Sequence, residues 1–301
     1  MRIFQVDAFT RARFTGNPAT VLLDADGLDD ATLKTIAREF PHAETAFVLA
    51  ATAPDHDVRL RFFNARKEFP FVGHATIAAH AVLLALDRRA PGALRQHSGT
   101  GIVEVRAQEA MRPAGREMLI EFRQTAAELD DPLPFKTTLR VAEALRLTAT
   151  RLHEVMPARI ARKGATRLLL PVGAADALDS LTPNFNTLES LGHELGADGF
   201  FVFAVNRGSS EEPLSTESRM FCPALGIAED PVSGNAHAML ATYLHDLGQF
   251  DRHTTGFIGY QGRHMQRPGQ VHVRLELEAG RLAAAHIGGN AVIVSEGSLA
   301  L

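Results

Sequence analysis

Two stretches, VGHATIAAH at residues 72–80 and SGNAHA at residues 233–238, open apolar runs with the same Gly-polar-Ala step, and their relation decides the fold. The first continues as GHATIAAHAVLLAL, apolar almost all round, which predicts a helix buried on every side rather than one lying on a surface. The second continues as GNAHAMLATYLHDL and reads the same way. Working outward, AETAFVL at 43–49 matches ADGFFVF at 197–203, and RFFN at 61–64 matches RMFC at 219–222. Order, spacing and the shared helix start agree, so the chain reads as a duplicated strand-strand-helix unit, an α+β fold of two similar domains.

The flanking elements fill in each copy. IFQVDAF has strand period, with Phe4, Val6 and Ala8 on one face. FTGNPATVLL places a Gly-Asn-Pro turn before a second strand. In LDDATLKTIAREF the residues Leu33, Ile36, Ala37 and Phe40 share one helical face, with Asp29 or Asp30 as the cap. DVRLRFF, TRLLLPV and DGFFVFAV read as strands and LTPNFNTLESLGHEL as a helix. The acidic, proline-broken TAAELDDPLPFK sets the boundary, giving domains 1–127 and 128–301, with the last strand, NAVIVSEG, assigned to the second but free to pack on the first.

Bulk properties narrow the function. At 301 residues the chain exceeds the usual size of one core. Its 46% hydrophobic and 22% charged residues are those of an ordinary globular protein. A net charge of -4 without basic runs points away from nucleic acid and anionic membrane and towards a small-molecule partner. MRIFQVDAFTRARFTG has no apolar block of a signal peptide and no segment has membrane-spanning length, so a cytoplasmic protein is expected. The single cysteine, Cys222, rules out a disulfide within the chain and a cysteine-built zinc site.

The helix starts collect the candidate chemistry. Backbone N–H groups at a helix N-terminus favour a carboxylate, and Gly73 and Gly234 let a ligand approach the backbone closely. His74 and Asn235 follow these glycines, while Asp230 and Ser233 precede the second. Glu44 stands before an apolar strand, where burial raises a carboxyl pKa and suits it to carry a proton; a solvated strand-end charge is the competing reading. His74 and Ser233 read equally as helix caps, and Asp230, before Pro231, as a turn former. His42, His80, His237 and His245 read as structural or exposed. No HExxH, CxxC, GxGxxG, Walker or GxSxG pattern occurs, so neither metal nor nucleotide cofactor is expected.

These residues lie in motifs that resemble the phenazine-biosynthesis PhzF-like isomerases, in the diaminopimelate epimerase-like superfamily: VDAFT, GNPATVLL, ETAFVL, GHATIAAHAVL, RMFCPALGIAEDPVSGNA, YQGRHMQRPGQVHV and IGGNAVIVSEG, in that order. The resemblance implies two pseudo-two-fold-related domains, each a β-barrel around a central helix, with the site in the cleft between them. It also implies a cofactor-free proton shift on a small carboxylic acid and a homodimer. Glu44 inherits the acid/base role; Gly73, His74 and Asp230 line the site. The founding isomerase has a serine where this chain has Asn235, so its substrate does not carry over. A two-thiol racemase is excluded by the lone cysteine. A non-catalytic small-acid binding module on the same fold is the alternative.

Overall fold

The helix that begins at Gly73 runs to Ala85, and all but a few of its residues are buried, including Ala75, Ile77, Ala78, Ala79, Val82 and Leu84. The structure is a computed structural model that describes residues 1–40, 44–112, 115–207, 214–251 and 254–300; His42 lies outside them. It divides into two compact units, one of Met1–Arg123 with Gly288–Leu301 and one of Gln124–Ile287.

In the first unit the order is β1 (Arg2–Ala8), β2 (Asn17–Leu22), α1 (Asp30–Arg38), β3 (Thr45–Leu49), β4 (Val58–Phe63), β5 (Glu68–Phe69), α2 (Gly73–Ala85), β6 (Gly92–Ser98), β7 (Gly101–Arg112) and β8 (Gly115–Thr125). The strand β2 runs parallel to β3, β3 antiparallel to β4, β4 antiparallel to β5 and parallel to β6, and β6 antiparallel to β7. The alternation read in β1 places Phe4 and Val6 in one core with Val21, Val48, Leu60 and Phe62, and this core packs on α2. On the other face Leu22, Phe47 and Phe63 meet Leu33, Ile36 and Ala37 of α1. The Asp29 side chain caps α1, accepting from the Thr32 N–H at 2.8 Å. Phe40 falls beyond the helix end but still packs on this cluster, so the stripe outlasts the helix.

The second unit holds β9 (Glu128–Leu129), α3 (Phe135–Ala144), β10 (Arg159–Arg162), β11 (Thr166–Pro171), α4 (Asp176–Asp179), α5 (Phe185–Leu195), β12 (Gly199–Asn206), β13 (Ser215–Cys222), β14 (Ile227–Asp230), α6 (Gly234–Asp246), β15 (Gly256–Gln261), β16 (Gly269–Glu278) and β17 (Arg281–Gly289), the last of which crosses the unit boundary. Its pairings repeat those of the first: β11 parallel to β12, β12 antiparallel to β13, β13 antiparallel to β14 and parallel to β15, β15 antiparallel to β16. Tyr243 and Phe203 meet edge to face at 5.6 Å under α6, and the Tyr243 hydroxyl donates to the Pro157 carbonyl at 2.6 Å. The final strand, β18 (Ala291–Ser298), pairs antiparallel with β1, whereas β9, at the end of the first half, pairs with β10.

The fold is thus mixed and strand-rich, with few helices. In the first unit β1 pairs antiparallel with both β2 and β18, which brings the first and last strands of the chain side by side. No helix among the described residues is long and apolar enough to cross a membrane.

Candidate active site

Each helix start is approached through the same construction. In β4, Arg61 lies over the Phe63 ring at 5.0 Å and donates twice to Glu68, both at 2.7 Å. In β13, Arg219 lies over the Phe221 ring at 4.9 Å and donates to Glu229 at 2.9 and 2.8 Å. A guanidinium fork held by a carboxylate and an aromatic face fixes a strand pair rigidly, and here it anchors the short strand that leads into the helix. The register Phe62 to Phe69 in one unit and Met220 to Asp230 in the other then aligns Phe69-Pro70-Phe71-Val72-Gly73 with Asp230-Pro231-Val232-Ser233-Gly234.

In the first unit the structure brings together two of the residues selected from sequence. Glu44 directly precedes β3, and its backbone carbonyl accepts from the Thr20 N–H at 3.3 Å. Its Oε2 stands 3.4 Å from Nε2 of His74, within ion-pair range, and the two side chains are 12% and 11% exposed. Glu44 is therefore not a solvated strand-end charge. His74 is not the cap of α2: that position is Val72, whose side chain makes no capping bond. Gly73 has a packing reason of its own, since a Cβ there would lie 2.8 Å from Cζ of Phe122, whose ring meets Phe71 at 5.1 Å.

In the second unit Asp230 ends β14 and Ser233 caps α6, its hydroxyl accepting from the Ala236 N–H at 3.3 Å. Both lie on one short loop. The Asn235 side chain donates to the Lys163 carbonyl at 3.0 Å, so its amide ties the helix start to the β10–β11 turn. Gln261, buried at the end of β15, accepts from the Ser233 N–H at 3.0 Å and donates to the Asp230 carbonyl at 2.7 Å. Sequence reasoning passed over Gln261, although it stands inside the YQGRHMQRPGQVHV motif; a glutamine one residue before a glycine carries no signal until its partners are seen.

The two buried helices also carry buried histidines. His80 of α2 accepts from the Arg89 guanidinium at Nδ1, at 2.5 Å, and so presents Nε2–H to Oε1 of Gln96 at 3.0 Å. Burial, and then the Arg89 charge, push its pKa down to about 3. His237 of α6 donates from Nδ1 to the Ser233 carbonyl at 2.7 Å, and burial pushes it down to about 4. Both are neutral structural groups at neutral pH. Cys222 is buried at the end of β13. Among the described residues no three His, Cys, Asp or Glu side chains cluster so as to hold a metal ion.

A profile described as phenazine biosynthesis-like protein (PhzC-PhzF) matches residues 6–297, nearly the whole chain. The chain belongs to this family. Among its relatives, the uncharacterized isomerase YddE of Escherichia coli K12 is 34% identical over 295 residues, covering 97% of this chain and 96% of YddE. The trans-2,3-dihydro-3-hydroxyanthranilate isomerase of Pseudomonas chlororaphis is 31% identical over 297 residues, covering 98% of each. Among solved structures, a PhzF-family phenazine biosynthesis protein of Bacillus anthracis superposes with a TM-score of 0.87 at 26% identity, covering 100% of this chain and 99% of its own. A probable proline racemase of Agrobacterium radiobacter K84, at 14% identity and TM-score 0.64, covering 100% of this chain and 93% of its own, shares the fold. The resemblance read from the motifs is thus membership, and the family's curated relatives bear isomerase names.

Proposed function

We propose that this protein is a cofactor-independent isomerase that moves a proton within a small unsaturated or amino carboxylic acid, with Glu44 as the acid/base. The observation that carries the reading is the Glu44–His74 pair, a carboxylate and an imidazole 3.4 Å apart and nearly shielded from water beside the start of a buried helix. In the step proposed, the Glu44 carboxylate takes a proton from an acidic carbon. The electron pair left behind spreads into the conjugated acid, and the same carboxyl returns the proton to a second carbon, so atoms and charge balance and no oxidant is required. A base in this role contributes about 10²–10⁴-fold.

His74 and Asp230 are assigned to assist that proton or hold the substrate. Gly73, Ser233, Gly234 and Asn235 are assigned to substrate binding, the helix-start N–H groups receiving its carboxylate. The domains 1–127 and 128–301, each with the barrel architecture that the resemblance implies, are part of this reading, supported by the repeated pairings of the two units. So are a cytoplasmic location and a homodimer, which rest on the sequence and the family alone; light scattering checks the dimer. The P. chlororaphis relative's name makes its cyclic amino acid a first compound to try, not the assigned substrate.

The test is proton NMR in deuterated water with a panel of small unsaturated and amino acids. The native protein is expected to place deuterium at a carbon of at least one acid, and Glu44→Gln to slow this by about 100-fold or more while the fold persists. Unchanged exchange by the Gln variant overturns the assignment of Glu44. Saturable binding without exchange at any carbon favours the binding module.

A further inference from the structure

We infer that Gln261 is a positioning residue that sets Asp230 and the start of α6 in place, a role resting on the site assignment above. Gln261 is 3% exposed, and its side chain spans the Asp230-Pro231-Val232-Ser233 loop from end to end. Oε1 accepts from the Ser233 N–H at 3.0 Å and Nε2 donates to the Asp230 carbonyl at 2.7 Å. A backbone N–H only donates and a carbonyl only accepts, so the orientation of the amide follows from its partners. Within the loop Pro231 has no N–H to offer, and the amide substitutes for the missing backbone ladder. Gly262, the next residue, has φ +88° and lets the chain pass under the loop, where a Cβ would lie 2.7 Å from the Pro231 carbonyl oxygen.

The first unit shows that the fold itself does not require this clamp. The parallel pairs of Val58 with Gln96 and Thr216 with Gly259 place Ser98 where the second unit has Gln261, and Gly99 where it has Gly262. The approach under the loop is kept: a Cβ at Gly99 would lie 2.7 Å from Cα of Pro70. The amide is not: the Ser98 hydroxyl pairs with that of Thr100 at 3.2 Å, and the loop it underlies carries Phe69 in place of Asp230. Phe71 anchors that loop by packing, its ring 6.0 Å from Phe62 and 5.1 Å from Phe122. Two directed hydrogen bonds therefore stand where the loop must aim a carboxylate, and apolar packing suffices where it does not. Gln261 bonds the backbone of the loop at both ends, so its effect on chemistry passes through Asp230 and the helix-start N–H groups.

Two variants of the full chain test the role. Gln261→Leu removes both bonds at nearly constant volume, and Gln261→Glu keeps the acceptor for Ser233 but loses the donor to Asp230 while ionised. Amide hydrogen exchange read by mass spectrometry needs no substrate: in Gln261→Leu, peptides covering 229–237 are expected to exchange about tenfold faster, the equivalent of one hydrogen bond, with β4 and α2 unchanged. Unchanged protection of 229–237 in both variants overturns the clamp. In the deuterium-incorporation assay Gln261→Leu is expected to lose about tenfold or more in rate at every pH. Gln261→Glu, compared with the native protein at the same pH, is expected to recover as the pH falls towards about 5 and its carboxyl regains a proton to donate. The ratio at equal pH removes the native titrations of Asp230, Glu44 and His74, and Glu229 and Glu217 stay paired with Arg219 and Arg263. A Gln261→Glu profile parallel to the native one leaves a merely structural residue. Absence of exchange in the native protein sinks the isomerase reading alone, since the loop protection still decides the clamp; if Gln261→Leu does not fold, Gln261→Glu carries both readouts.

Discussion

The helices α2 and α6 occupy the same place in the same succession of strands, yet their polar interiors are solved in opposite ways. Under α2 the strand supplies the polar group: Gln96 of β6 bonds His80 and reaches the hydroxyl of Thr76 at 3.4 Å. Under α6 the helix supplies it: His237 stands where α2 has Thr76, and Gly259 where β6 has Gln96, so the imidazole lies in the space that the glutamine side chain fills in the other unit. The apolar frame is shared, while each polar group is matched to its own neighbours. The frame is the repeated part of the molecule, and the polar substitutions are where the two copies have diverged in purpose.

Acid is the strongest lever on this comparison. Both histidines are held below their ordinary value of 6.5, so below that pH the unfolded chain binds protons that the folded chain refuses, and stability falls as pH falls. Each group contributes a slope of up to about 1.4 kcal/mol per pH unit, from 6.5 to about 4 for His237 and to about 3 for His80. Urea unfolding at successive pH values should show His237→Gln losing about 1.4 kcal/mol per unit of that slope. An acid limb as steep as the native one would mean that His237 is not held neutral by burial.

A smaller effect is expected from Gly259→Ala. A Cβ there would overlap the His237 ring, and overpacking of a filled core typically costs about 1–3 kcal/mol. Adding His237→Thr, the residue that α2 carries at this place, removes the ring that the Cβ would meet and should recover part of that loss. An unchanged melting temperature for the single variant would show that the ring has room to move. The smallest effect is at the caps. Ser233→Ala should cost about 1 kcal/mol through the lost bond to Ala236. Val72→Ser should give no matching gain, because Val72 belongs to the apolar core of its unit.

Periodicity made the frame legible. The strand faces of Phe4 and Val6, the α1 stripe and the all-round apolar helices depend on local spacing, and each element appears there, with α1 stopping short of Phe40. The Glu44–His74 contact was legible only as two unusual residues, because nothing in the sequence measures the distance from a strand end to a helix start. The Arg61–Phe63 and Arg219–Phe221 stacks lay inside the aligned RFFN and RMFC segments, but their carboxylate partners sit on strands of two and four residues, too short for a periodic signal. In sequence Gly73 offers room for a ligand, and Phe122, nearly fifty positions away, supplies a packing reason that no local pattern contains.

The pairing of β18 with β1 sets the order in which the molecule can be completed during synthesis. The N-terminal amine donates to the Leu299 carbonyl at 3.0 Å, and Arg2 donates to Glu296 at 2.7 Å. The strand that completes the first unit to be translated is therefore made only after the whole of the second unit, at about 5–20 residues per second, and until it arrives one edge of β1 has no partner. The second unit, a continuous run from Gln124 to Ile287, is complete earlier. A released chain truncated shortly before Ala291 would thus hold the whole of the second unit and a first unit still lacking its edge strand.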